Sequence, residues 1–177
     1  MRVFLAALIL LFAGEAKAAD FIDSVEGVYS DSKPSQMADG EALIANSYLT
    51  VLKIDDQTAF LDYDLVFANA HTCTLSGLFR VEGDHLHFKD ENYSADDLKD
   101  NPDDQPCELA VKSDGKNLVT SIVVAEGKNS LCRNYCGARG SMEYDFPLSR
   151  RGKIKDKTKI MQSDEYKQAT GQMPHNP

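Results

Sequence analysis

Beyond the first twenty residues, apolar side chains recur mostly at every second position, the period of a half-buried strand rather than a helix. In TAFLDYDLVF, Ala59, Leu61, Tyr63, Leu65 and Phe67 share one face, with Asp62 and Asp64 on the other. CTLSGLFRV puts Cys73, Leu75, Gly77, Phe79 and Val81 together and leaves Thr74, Ser76 and Arg80 opposite. HLHF sets His85 and His87 against Leu86 and Phe88, and CELAV aligns Cys107, Leu109 and Val111. NLVTSIVV and MEYDFPL read as two more strands, and Gly27-Val28-Tyr29 opens a first one. YLTVLKI (48–54) is apolar on both faces, as a central strand would be.

Turn residues punctuate these runs. Glu82-Gly83-Asp84 and Ser113-Asp114-Gly115-Lys116 each separate two alternating stretches closely enough for a hairpin. About eight short strands at this spacing predict an all-β fold, a small antiparallel barrel or a two-sheet sandwich. Closure into a barrel is preferred because it removes exposed strand edges. Two segments break the pattern. DENYSADDLKDNPDDQP (90–106) holds seven acids, one lysine and two prolines, and reads as a long solvated loop. RRGKIKDKTKI (150–160) carries six basic residues and one acid, and in the SDEYKQATG that follows Ser163 can cap a short helix that Gly171 ends.

The opening twenty residues change the picture of compartment. MRVFLAALILLFAGEAKAAD has Arg2, an eleven-residue apolar core over 3–13 and an Ala16-Lys17-Ala18 exit, the three parts of a secretory signal peptide. That core is shorter than the roughly 20 residues a bilayer span needs. The expected organisation is a signal peptide over 1–18, an antiparallel β domain over 19–150 and a basic, partly disordered C-terminal tail over 151–177, with a periplasmic or secreted destination and no membrane span.

Charge narrows the partners. The chain has 19 basic and 28 acidic residues, a net charge of −9, and loss of Arg2, Lys17 and Glu15 with the leader brings this to −10. Such a surface repels phosphate backbones and attracts a basic protein or a cation, so a protein partner is expected and nucleic acid is not.

Four cysteines in an exported chain point to two disulfides. The Cys132-x-x-x-Cys136 spacing is not the Cys-x-x-Cys of dithiol oxidoreductases, and Cys73 and Cys107 lie too far apart to complete a four-cysteine zinc site. Of the three connectivities, one follows from the hairpin that turns at 114–116. Its register sets Cys107 opposite roughly Val124, so Cys132, just beyond, can swing back to Cys107 and leave Cys136 for Cys73. With both cysteines of CRNYC tied to the sheet, Arg133, Asn134 and Tyr135 form a short bulge, and Gly137-Ala138-Arg139-Gly140-Ser141 leaves it as a stiffened lead-in to the next strand. Arg139, Tyr135, Ser141 and Arg133 are therefore the expected binding residues, since a pre-stiffened loop loses little entropy on docking. The competing reading is architectural, with Arg139 paired internally and the glycines turning a corner.

Chemistry beyond binding has thinner support. His85-x-His87 can chelate a metal from one strand face, and His71 is the candidate third ligand of an open zinc site, the basis of an alternative reading as a small metal-dependent hydrolase. Asp96, Asp97, Asp100, Asp103 and Asp104 offer carboxylates for calcium but lack the EF-hand order. There is no Gly-x-Ser-x-Gly elbow and no glycine-rich phosphate loop, so no cofactor is expected and a binding protein is preferred to an enzyme. A third reading, an envelope scaffold, uses the basic 150–159 run on anionic lipid.

The succession HTCTLSG (71–77), GDHLHF (83–88), CELAV (107–111) and CRNYCGARGS (132–141) resembles a pattern in uncharacterised exported β-domain proteins of Gram-negative bacteria. More loosely, a small acidic exported β-barrel with disulfides is similar to the periplasmic lysozyme inhibitors. Those families place a Ser or a charged side chain of an exposed loop in the lysozyme cleft; their Ser-Gly-x-x-Tyr loop has no copy here. The resemblance implies a periplasmic inhibitor of a cationic hydrolase.

Overall fold

Nine strands join into one antiparallel sheet in the computed structural model of the chain, which describes residues 21–93, 98 and 101–172. The long members are β1 (Gly27–Gln36), β2 (Ala42–Lys53), β3 (Thr58–Val66) and β4 (Thr72–Glu82). Shorter ones follow: β5 (His85–Lys89), β7 (Glu108–Ser113), β8 (Asn117–Ile122), β10 (Tyr144–Pro147) and the two-residue β11 (Arg151–Gly152). Their order is β10-β8-β7-β5-β4-β3-β2-β1-β11. The sheet curls until β1 comes beside β10, giving a nearly closed barrel. A separate parallel pair, β6 (Asp104–Gln105) with β9 (Asn129–Ser130), lies outside it. Within the nine-stranded sheet the strand beyond the eight expected is β11, an Arg-Gly pair too short, like β6 and β9, to carry any alternation.

The faces are those that the alternation assigns. Ala59, Leu61, Tyr63 and Leu65 of β3 and Cys73, Leu75 and Phe79 of β4 are buried in the barrel with Leu109 and Val111 of β7. Each large apolar side chain so buried contributes about 1.5–3 kcal/mol. The two deep phenols keep their hydrogen bonds. Tyr63 shares one with the Thr120 hydroxyl at 2.9 Å, and Tyr29 donates to the Val25 carbonyl at 2.6 Å. Both expected hairpin turns form. Gly83 takes φ +64° between β4 and β5, and Asp114 Oδ1 accepts the Lys116 and Asn117 N–H groups at 2.7 and 2.6 Å beside Gly115 at φ +86°. In the β7–β8 ladder Leu109 faces Ile122, the register that sets Cys107 against Val124.

Beyond residue 150 the described residues, to 172, pack on the sheet. β11 pairs with β1; the helical residues 21–25 are α1, and α2 (Lys157–Met161) and α3 (Asp164–Ala169) lie on the outside of the sheet. Ser163 caps α3 by accepting the Tyr166 N–H at 3.2 Å, and Gly171 at φ +69° follows its end. Tyr166 covers Leu52 and Phe60 on the outer face, its ring edge-on to Phe60 at 5.2 Å. This is why β2 is apolar on both sides: the inner set meets the core and Leu52 meets α3. The basic run and the acidic loop do not pair with each other among the described residues. Arg150 reaches Asp31 and Lys157 reaches Glu26, while Asp103 and Asp104 take Lys128 and Arg133. The expected leader (1–18) and the last five residues lie outside the described residues. Among the described residues no helix is long and apolar enough to cross a membrane.

Candidate functional site

Both disulfides are those the hairpin register implies. Cys107–Cys132 and Cys73–Cys136 have Cα separations of 4.4 and 4.0 Å. CRNYC winds into a 3-10 turn (Leu131–Tyr135) capped by the Ser130 hydroxyl, which accepts the Cys132 N–H at 3.2 Å. Beyond it Cys136 lies against Cys73 as an antiparallel bridge, and the Gly137 N–H donates to the Thr72 carbonyl at 2.8 Å. Gly140 then passes directly over the disulfide. A Cβ there would sit 2.4 Å from the Cys73 sulfur, so only glycine fits. Buried Met142 anchors the far end. The segment from 137 to 141 is thus held at both ends, by sulfur and by the core.

The four expected binding residues have different situations. Arg139 is exposed and has no ion-pair partner among the described residues. Arg133 is also exposed but is paired with Asp104 at 3.0 Å. Ser141 is half-buried, and its hydroxyl accepts the Glu143 N–H at 3.1 Å. Tyr135 is half-buried and donates to buried Asp90. Burial, and then the Asp90 carboxylate, push its phenol well above the ordinary value. Asp90 is held further by the Asn92 backbone and side-chain N–H groups at 3.0 and 2.9 Å.

The three histidines do not converge. His85 and His87 are neighbours on the outer face of β5, ring centroids 6.4 Å apart, and interact with Asp84 and Glu82 respectively. His71 precedes the other end of β4, beside Gly137. Eight residues of strand separate Thr72 from Arg80, which faces His87, or roughly 26 Å at about 3.3 Å per residue. Among the described residues no three His, Cys, Asp or Glu side chains are grouped to hold a metal ion. Asp96, Asp97 and Asp100 of the acidic loop lie outside those residues.

One feature is scarcely marked in the pattern of residues. β4 and β5 pair at only three positions, Arg80 with His87, Val81 with Leu86 and Glu82 with His85. Past His87, β5 stays with β7, Lys89 facing Glu108 and the Asp90 N–H reaching the Cys107 carbonyl at 2.8 Å. β4 stays with β3, so the sheet splits and a slot of about 1100 Å³ opens. Phe88 plugs it on the core side, stacked on Phe79 at 5.0 Å and lying where a Cβ on Gly77 would come within 2.7 Å of its ring. The Arg80–His87 pair closes one end. The Cys73–Cys136 bridge and the Tyr135–Asp90 bond close the other. Gly77 opposite Phe88 is the only trace of the slot in the sequence. Comparison with known protein families, with characterised proteins and with solved structures finds no match to this chain.

Proposed function

We propose that this protein is an exported, non-enzymatic binding module, periplasmic or secreted, that inhibits a cationic hydrolase such as lysozyme. The observation that carries the reading is the exposure of Arg139 on a segment fixed between the Cys73–Cys136 disulfide and buried Met142. A guanidinium on a short segment anchored at both ends gives a partner five donors with little conformational entropy left to lose. The net charge of −9 attracts a basic enzyme over distance, while the local positive side chain supplies specificity. Two disulfides and the signal-peptide-like leader support an oxidising destination. The metal-dependent hydrolase reading has less support, because His71 is remote from His85 and His87.

The test is inhibition and binding of lysozyme by the purified protein, beside Arg139→Ala. The expected result is inhibition by the parent and a Kd weakened about tenfold in the variant, the scale of a moderate hot spot. Equal inhibition by the two would remove the loop from the account. No binding of lysozyme or any other cationic envelope hydrolase by the parent would remove the inhibitor reading itself.

A further inference from the structure

We infer that the slot between β4 and β5 receives an extended, basic peptide segment of a partner protein, added to the edge of β4 as an extra strand. Two independent features carry this. The first is backbone. In an antiparallel strand the N–H and C=O of one residue point to the same side, and the side alternates along the chain. The Thr72 carbonyl accepts from Gly137 on the slot side, and the Val81 N–H donates to Gln57 on the β3 side. Even-numbered residues of β4 therefore turn their polar groups toward the slot. At Thr72 and Arg80 these groups meet the disulfide loop and β5. At Ser76 and Leu78 between them, both N–H and C=O face the opening with no backbone partner among the described residues. Cys73 and Arg80, the last bridged positions, stand seven residues apart, so the open edge is about 23 Å long at about 3.3 Å per residue. An unpaired edge of this kind is what an added strand pairs with.

The second feature is charge, and it selects the occupant. Asp62 and Asp64 of β3 and Glu165 of α3 line the slot with Glu91, and none of these has an ion-pair partner among the described residues. Asp62 accepts the Ser76 hydroxyl at 2.6 Å, but burial, and then the charges of Glu165 and Asp64, hold its carboxyl above the ordinary value. Of the lysines and arginines at the rim among the described residues, Lys89 is already paired with Glu108 at 2.7 Å, leaving Arg80. The wall formed by β3 and α3 is thus a row of carboxylates, Asp62 repelled by Glu165 and Asp64, beside a strand position that no described residue fills. Lys or Arg at alternate positions of an added strand would point to that wall and relieve the repulsion. A second copy of this acidic chain is a poor occupant on the same ground. The slot and the Arg139 loop meet at Tyr135 and the Cys73–Cys136 bridge, but Arg139 does not line the slot, so neither assignment needs the other.

The probe is a fluorescein-labelled octapeptide alternating Lys and Val, followed by anisotropy on the whole protein. Expected are saturable binding, no binding of the Glu–Val counterpart, and about tenfold weaker binding when the peptide amides facing Ser76 and Leu78 are N-methylated, the scale of one or two lost hydrogen bonds. Asp64→Asn with Glu165→Gln, both at exposed positions, should weaken binding about fivefold, and Arg139→Ala should leave it unchanged. Several outcomes overturn the inference. Equal binding of the methylated peptide leaves charge without strand addition. Indifference to the carboxylate variants, or loss of binding on Arg139→Ala, puts the peptide elsewhere. Failure of the basic peptide to bind, with concentration-dependent dimers in sedimentation, assigns the edge to a second copy; failure without dimers leaves it unoccupied.

Discussion

The barrel is interrupted twice, and the two interruptions are handled in opposite ways. At the seam, β1 and β10 approach without a shared ladder, and buried Asp31 joins them. Its carboxylate accepts from Arg150 at 2.5 Å and from Tyr144 at 3.1 Å and pairs with Lys33 at 2.9 Å, and the Lys33 ammonium also sits 4.3 Å from the Tyr144 ring centroid. At the slot, Asp62, Asp64 and Glu165 lie along one wall with no ion-pair partner, and Ser76 and Leu78 leave the strand edge without a backbone partner, among the described residues. One gap is stitched by charge and the other is held apart by a plug and a disulfide. A break in a sheet that serves only closure is expected to be satisfied from within; one that is left polar, unpaired and of one sign is a surface for something else.

The largest effect should come from releasing the closed end of the slot. Cys73 and Cys136 are 63 residues apart, and losing a cross-link of that span costs about 4 kcal/mol in the chain-entropy account. Cys73→Ser with Cys136→Ser should lower the denaturant midpoint accordingly and speed hydrogen exchange at the Gly137 amide, which now binds Thr72. An unchanged Gly137 rate would mean that the slot end is held by packing alone.

Next is the seam. Asp31→Ala should cost about 2 kcal/mol, below the full penalty for breaking a buried ion pair because Lys33 and Arg150 are about half exposed and water screens them. Burial acts to raise the Asp31 carboxyl, but hydrogen bonds from Lys33 and Tyr144, with the charges of Lys33 and Arg150, hold it below the ordinary value. Its stabilising effect is therefore complete above the unfolded pKa near 4 and is lost as pH falls through the lower folded value. Denaturant melts of parent and variant should differ at pH 7 and draw together as pH falls below the unfolded pKa near 4. A gap that does not narrow with falling pH would assign the loss to packing rather than charge.

The smallest effect has the opposite sign. Asp62 in the slot is raised by burial, with Glu165 and Asp64 adding to it, so its ionisation opposes folding. Asp62→Asn keeps an acceptor for Ser76 and should stabilise the protein by about 0.5 kcal/mol at pH 7. The gain should vanish below the unfolded pKa near 4, where the carboxyl is protonated in both states. Destabilisation at pH 7 would show that the slot carboxylates are already compensated and would remove the contrast with the seam.

The readable parts of this molecule are those set by neighbours in the chain. Alternation sorted Leu61 from Asp62 and Leu75 from Ser76, because successive side chains of a strand point to opposite faces. The 114–116 turn fixed the β7–β8 register, and with it the position of Cys107 and the pairing of all four cysteines. Ser163 and Gly171 bounded a helix through local capping. What the pattern does not record is how the stretch after residue 150 docks. Its basic side chains are mostly exposed, while Ile154, Ile160 and Tyr166 cover an outer apolar patch that Leu52 and Phe60 supply from β2 and β3. Among the expected binding residues, Arg139 is exposed and unpaired among the described residues, whereas Tyr135 is bonded to Asp90, a partner 45 positions away.

By itself, then, the order of residues determined strand faces, hairpin turns, a short capped helix and the sulfur connectivity, since periodicity and turn chemistry act over a few positions. Only the tertiary structure decided where the sheet closes and where it parts. Asp31 meets Tyr144 across 113 residues, and β5 parts from β4 where the Phe88 ring lies over Gly77 against Phe79, while the neighbouring residues keep their ladder to β7. Those contacts depend on how a curled sheet fills its own interior, a competition among distant side chains that no local pattern records.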